Sequence, residues 1–189
     1  MIKNRRPGWD HYFLSLAHVV ATRASCDRKH VGAIIVDQDH RIVATGYNGG
    51  AAGTPDCDQA GHLLKEIDGR QSCIRTLHAE SNALDYAGRD AKDCTIYVTV
   101  IPCYDCAKRL VNAGIRRVVY AEYYESRNTK AVTAYFAAVD TDLHHLPARY
   151  RVAQLCATAD CENDARYSSM LCGVCDTTYN SGGGVKAEL

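Results

Sequence analysis

The chain lacks an excess of charge of either sign: 22 Lys and Arg are matched by 22 Asp and Glu over 189 residues. That balance removes the overall basic field that draws proteins to nucleic acid or anionic membranes, so a small-molecule partner is expected and nucleic acid is not. Long apolar runs are missing too. No window approaches the ~18 apolar residues that a membrane span requires, and the opening MIKNRRPGWDHYF carries no apolar signal core. A soluble, cytoplasmic protein is expected. Proline is scarce, at 4, glycine is moderate, at 14, and 47% of residues are hydrophobic. A chain of this length and composition suits one domain with a real core, plus a small appendage.

Cysteine is the residue present in excess. The ten cysteines of a chain expected in a reducing compartment point to metal or catalysis rather than disulfides. They fall at Cys26, Cys57, Cys73, Cys94, Cys103, Cys106, Cys156, Cys161, Cys172 and Cys175, with CxxC pairs at Cys103/Cys106 and Cys172/Cys175. Cys94, inside a strand pattern, reads as a small buried hydrophobe.

Periodicity supplies the framework. WDHYFLSLAHVVATRAS has a helical apolar stripe at Trp9, Tyr12, Phe13, Leu16, Val19 and Val20. VGAIIVD and RIVATGY read as β-branched strands joined by a tight turn at QDH. From Asn48 to Arg75 the pattern weakens into a long loop of Gly, Asp and scattered Cys, of the kind that is functional or metal-clamped. HAESNALDYAG then predicts a helix ending at Gly88, CTIYVTV a strand, CYDCAKRLVNAG a helix ending at Gly114 and IRRVVYAEYY another strand. TKAVTAYFAAV adds a helix and TDLHHL a short last strand, before Pro147 opens the tail. Strands alternating with helices imply an α/β sandwich.

Three of the candidate ligands share a setting. A zinc ion that activates water takes three protein ligands and keeps its fourth position open. His78, Cys103 and Cys106 provide that set at the first turns of two helices, where exposed N–H groups and the dipole stabilise a thiolate. Pro102 suits such a helix start. Glu80, two residues past His78, can stand over the open position and carry protons. Taken separately, the histidine and the CxxC also fit a closed structural site or core packing. Jointly, HxE opening one helix and PCxxC opening the next form the signature of zinc-dependent nucleobase deaminases.

On these residues the chain resembles the cytidine deaminase superfamily, and more closely the deoxycytidylate (dCMP) deaminases, from about Trp9 to Tyr124. The resemblance rests on WDHYFLSLA, VGAIIVD, IVATGYNGGAAG, LHAESNA, TIYVTVIPCYDCAKRLVNAGI and VVY. GYNG after the second strand, with Asn82 after HAE, turns it toward the free-nucleotide branch. It implies a three-layer α-β-α sandwich around a central mixed five-stranded sheet over residues 1–146, followed by a Cys-rich extension over 147–189. It also implies hydrolysis of dCMP to dUMP and ammonia, feeding thymidylate synthesis. Zinc-activated water would attack C4 of cytosine, while Glu80 moves a proton from water to N3 and to the departing ammonia, in a pocket that raises its pKa.

Further roles follow from the same resemblance. Ala79, through its backbone, would bracket the reacting oxygen; Asn48 would hold the sugar or phosphate end, although Asn-Gly is also a favoured turn pair; Tyr124 would close over the phosphate. Tyr86 and Arg89 match positions that contact dCTP, an activator, or dTTP, an inhibitor, in regulated members, with Mg2+ accompanying the effector and a homo-oligomer, a hexamer by preference. The alternative for that pair is a plain helix end with a favourable basic residue. Arg28, Lys29 and His30 read as a solvated run that could add charge to such a nucleotide site.

Two further Cys groups remain. Cys26, Cys57, His62 and Cys73 would fill a closed tetrahedral zinc site and offset the entropy of ordering the long loop before His78; free buried thiols are the alternative. This set resembles the second zinc of bacterial and phage-type dCMP deaminases, where the position of His62 is often cysteine. In the tail, Cys156, Cys161, Cys172 and Cys175 have knuckle-like spacing for a third zinc, against idle thiols or a redox pair, and NSGGGVKAEL reads as disordered. Competing functional readings are a deaminase of 5-methyl- or 5-hydroxymethyl-dCMP, a deaminase of a nucleic-acid base, and a non-catalytic zinc-binding assembly factor. Glu80 argues against the last, since a protein without turnover has no need of an acid/base beside its metal.

Overall fold

Strand β1 (Gly32–Val36) is buried at every residue, and a run such as GAIIV is stable only where helices cover both faces of its sheet. The computed structural model, which describes residues 7–67, 69–124 and 129–147 of the unit Met1–Ala148, shows how. A central five-stranded sheet has the order β2-β1-β7-β8-β9, with β2 at Ile42–Tyr47, β7 at Thr95–Val100, β8 at Arg117–Glu122 and β9 at Asp142–His145. β1 pairs antiparallel with β2 and β7, whereas β7–β8 and β8–β9 are parallel. The sheet is therefore mixed, as expected, and the short last strand is present.

The pleat assigns each residue a layer. Ile34, Val36, Tyr97, Val119 and Ala121 pack on Phe13, Leu14 and Ala17 of helix α1 (Trp9–Ala21). Their neighbours Ile35, Ile96, Val98, Val118 and Tyr120 face the other way, onto Ala83 and Leu84 of α3 (Ala79–Ala87), Leu110 of α4 (Tyr104–Asn112) and Phe136 of α5 (Thr129–Ala137). The result is a three-layer sandwich.

Two glycines set how closely the helices sit. A Cβ on Gly32 would lie 2.1 Å from the Ala17 carbonyl oxygen, and one on Gly46 would lie 2.3 Å from the Ala79 carbonyl oxygen and 2.4 Å from the Ala83 nitrogen. Gly46 thus lets the first turn of α3 rest directly on β2.

The stretch expected to be one long loop contains local structure. β3 (Gly49–Gly50) pairs with β6 (Thr76–Leu77), which closes the segment. Between them lie a single turn, α2 (Cys57–Ala60), whose cap Asp56 forms a reciprocal capping box with Gln59, and a hairpin of β4 (Leu64–Ile67) with β5 (Arg70–Cys73). Every residue of β4 is exposed. With neither face packed there is no alternation to read, which is why periodicity missed it.

Two features lie away from this segment. Asp10 accepts hydrogen bonds from the Tyr97 hydroxyl at 2.8 Å and from both terminal nitrogens of Arg117 at 2.7 and 2.9 Å, pinning α1 to the amino end of β8. Trp9 stacks on His40 of the β1–β2 turn, ring centroids 4.4 Å apart. Among the described residues no helix is long and apolar enough to cross a membrane. Cys156, Cys161, Cys172 and Cys175 lie outside the described residues.

Candidate active site and metal centres

The carboxyl ends of parallel strands, where helices begin, are the usual place for a site in an open α/β sheet. Here β7 runs out into Ile101 and Pro102 and then into α4, while β6 leads into α3. His78 is the N-cap of α3 and Cys103 the N-cap of α4, both with extended backbone. The sequence reading put these two inside the first turn; they stand one residue before it, with Cys106 in the turn itself and Pro102 ahead of the cap rather than opening the helix. The cap position is the better one for a ligand, because a capping side chain points back across the helix end toward the groups that need partners.

His78 Nδ1 lies 3.4 Å from Cys103 Sγ and 3.4 Å from Cys106 Sγ. The three donor atoms all fall within 4.8 Å of one another, and Glu80 is not among them. One imidazole nitrogen and two sulfurs are a zinc donor set, and three donors leave a tetrahedral position over. The Cys106 N–H donates to Cys103 Sγ at 3.5 Å. The side-chain hydrogen bond from Cys106, with help from His78 and against burial, holds the Cys103 thiol down at about 3. Cys106 moves the opposite way, pushed up by its bond to Cys103, by burial and by the negative charge of Glu80. Glu80 is buried, at 4% exposure, in the first turn of α3. Sequence reasoning missed Ser81, whose hydroxyl lies 3.8 Å from Cys106 Sγ; its signal was adjacency, since it follows Glu80 on the same turn.

The second cluster brings together Cys26, Cys57, His62 and Cys73, again with all donor atoms within 4.8 Å. Cys57 Sγ is 3.6 Å from Cys73 Sγ, and Cys26 Sγ is 3.8 Å from His62 Nδ1. Burial first, then the neighbouring thiols, push Cys57 up to about 12. Burial also pushes on Cys73, but hydrogen bonds from the Arg75 and Leu63 backbone, with Cys57 and His62, bring it down to about 6. Four soft donors fill a tetrahedron, so this set fits a closed zinc site. Arg75 staples the surrounding chain through Nε to the Gly61 carbonyl at 3.0 Å and Nη1 to that of Pro55 at 3.2 Å. The six described cysteines are all free thiols.

The remaining candidates are dispersed. Asn48 is buried and its amide is engaged by backbone: Oδ1 accepts from Val31 N at 2.7 Å and Nδ2 donates to Lys29 O at 2.9 Å. It holds the approach to β1 in place. Asn82 does the same for α3, donating to Tyr47 O at 3.0 Å. Ala79 is fully buried, and Tyr124 packs half-buried against the main core. Tyr86 is 75% exposed, and Arg89 lies exposed in the turn Gly88–Ala91 after α3. Of the basic run, Lys29 pairs with Glu122 at 2.6 Å and Arg28 donates to the Gln71 carbonyl at 2.6 Å.

Comparison with known proteins agrees with this geometry. The family model of the cytidine and deoxycytidylate deaminase zinc-binding region matches residues 7–122. The chain is 43% identical over 124 residues to the ComE operon protein 2 of Bacillus subtilis, covering 64% of this chain and 63% of that one. It is 42% identical over 124 residues to the deoxycytidylate deaminase of Mycobacterium phage D29, covering 61% and 95%. The match to the first of these relatives thus spans less than two thirds of that protein's length. Among solved structures, the dCMP deaminase of cyanophage S-TIM5 in complex with dCMP and dUMP shares the fold, with a TM-score of 0.61 at 24% identity, covering 76% of this chain and 100% of that one.

Proposed function

Since this chain belongs to the cytidine and deoxycytidylate deaminase family, we propose that it hydrolyses dCMP to dUMP and ammonia, with zinc held by His78, Cys103 and Cys106. The observation that carries this reading is the buried carboxylate of Glu80 on the first turn after His78, outside the three-donor set. When bound, zinc makes a nucleophile available at neutral pH by drawing the pKa of water toward ~7.

Glu80 does the proton work. It accepts the proton that water loses as oxygen adds to C4 of the cytosine ring, and returns it to N3. On collapse it takes the proton of the new C4 hydroxyl and passes it to the exocyclic nitrogen, which leaves as ammonia as the C4–N bond breaks and C4 keeps the oxygen as a carbonyl. Burial keeps bulk water from exchanging those protons, and the fixed first turn of α3 holds the carboxylate at one height above the ring. The Ala79 backbone brackets the reacting oxygen. Asn48 acts by holding residues 29–31 and, through its remaining amide N–H, faces the sugar end; Tyr124 covers the phosphate. Cys26, Cys57, His62 and Cys73 hold a second, structural zinc that fixes the strand leading to His78.

Regulation belongs to the outer end of α3. An exposed tyrosine followed by an arginine, Tyr86 and Arg89, suits a nucleotide base and its phosphates, so dCTP with Mg2+ activates there and dTTP inhibits, across a homo-oligomer interface with a hexamer favoured. The test is ammonia release from dCMP, CMP, dCTP and 5-methyl- and 5-hydroxymethyl-dCMP, with and without dCTP. Turnover of dCMP that disappears in Glu80→Gln with zinc retained is expected; no turnover of any free deoxycytidine nucleotide overturns the proposal.

A further inference from the structure

We propose that Asp27 is a positioning residue of the four-donor cluster: its carboxylate fixes the His62 imidazole so that Nδ1, rather than Nε2, is presented to the metal. The inference rests on reading Cys26, Cys57, His62 and Cys73 as a zinc site. Two consecutive residues grip opposite edges of one ring. Cys26 Sγ lies 3.8 Å from Nδ1, and Asp27 Oδ1 lies 2.9 Å from Nε2.

A neutral imidazole carries one N–H and one lone pair, and only the nitrogen with the lone pair can ligate. A carboxylate accepts and cannot donate, so the bond to Asp27 requires the proton on Nε2 and leaves the Nδ1 lone pair facing the three sulfurs. Without that acceptor the ring can take either tautomer or turn over, since its side chain is 30% exposed and water can replace the partner. Carboxylates bound to the far nitrogen of a ligating histidine raise its basicity and orient it, and losing them weakens metal binding. Asp27 is 83% exposed at its side chain, so its removal opens no cavity and leaves the fold intact.

The test is a graded chelator titration of zinc in the full chain, comparing wild type, Asp27→Ala, Asp27→Asn and Cys57→Ser. The zinc missing from Cys57→Ser identifies the ion of this cluster. For that ion Asp27→Ala should bind about 10–100-fold more weakly, and Asp27→Asn, whose amide oxygen still accepts from Nε2–H, should recover most of the loss. The imidazole 15N resonances of His62 should report Nε2 protonated in wild type and a mixed or shifted pattern in Asp27→Ala, a change that a merely structural role for Asp27 does not produce. Identical titrations and identical resonances for wild type and Asp27→Ala overturn the proposal. Equal zinc content in wild type and Cys57→Ser would instead mean that the cluster holds no ion, and the site reading falls together with the role of Asp27.

Discussion

The two clusters use the same chemistry in different settings. His78, Cys103 and Cys106 sit at the starts of two helices pressed against the central sheet, with the acid Glu80 buried on the first turn of one of them. Cys57, His62 and Cys73 come from a segment with little core of its own, tied by short ladders and by Arg75, and Cys26 joins them from the chain after α1, with the exposed carboxylate of Asp27 on the outer edge of His62. On the proposed assignment, donor type is therefore not what separates a reacting metal from a structural one. Donor number, the rigidity of the support and the placement of a carboxylate decide it.

That contrast can be broken at either cluster. The largest effect is expected from Glu80→Gln, which should lower kcat for dCMP by about 10²–10⁴-fold while metal analysis shows unchanged zinc. Next is Cys57→Ser, which should lose one zinc and about 4 kcal/mol of stability in a urea titration, as the removal of a structural metal does. Residual activity at low temperature should exceed that of Glu80→Gln; if it vanishes as completely with the three-donor zinc still present, the division of labour is wrong.

Gly46→Ala sharpens the point about support. The added methyl meets the Ala79 carbonyl at 2.3 Å, so the first turn of α3 must move. A cost of about 1–3 kcal/mol is expected, together with a fall in kcat although every ligand and Glu80 are unchanged.

The smallest effect comes from the amino end of β8 and serves as a control. Hydrogen bonds from Arg117, against burial, hold the Asp10 carboxyl below its ordinary 3.8. Its contribution is present above the unfolded value of ~3.9 and lost as pH falls through the lower folded value. Asp10→Asn should cost about 1 kcal/mol at neutral pH, a difference that shrinks in acid, with dCMP turnover unaffected.

The legibility of these features in the sequence follows from their range. His78, Glu80, Cys103 and Cys106 could be read because their spacing within two helix starts is local, and β1, β7 and β8 because both faces are covered and β-branched runs mark them. β4 was invisible because it packs against nothing on either side. Asp27 pairs with His62 only through the fold, and nothing in the spacing announced it. Asn48 was expected at the sugar or phosphate end of the substrate, while its bonds to Val31 and Lys29 depend on how the segment before β1 returns to meet it.

The stack of Trp9 on His40 has a practical consequence. This is the only tryptophan in the chain, and it is half open to water while resting on an imidazole. Its emission is a built-in optical gauge of whether the amino-terminal helix stays docked, and a protonated imidazole beneath the indole would quench it. Fluorescence unfolding curves of this protein therefore follow that corner first, and circular dichroism beside them would reveal any metal-depleted form in which the sandwich survives while the clamped segment has come loose.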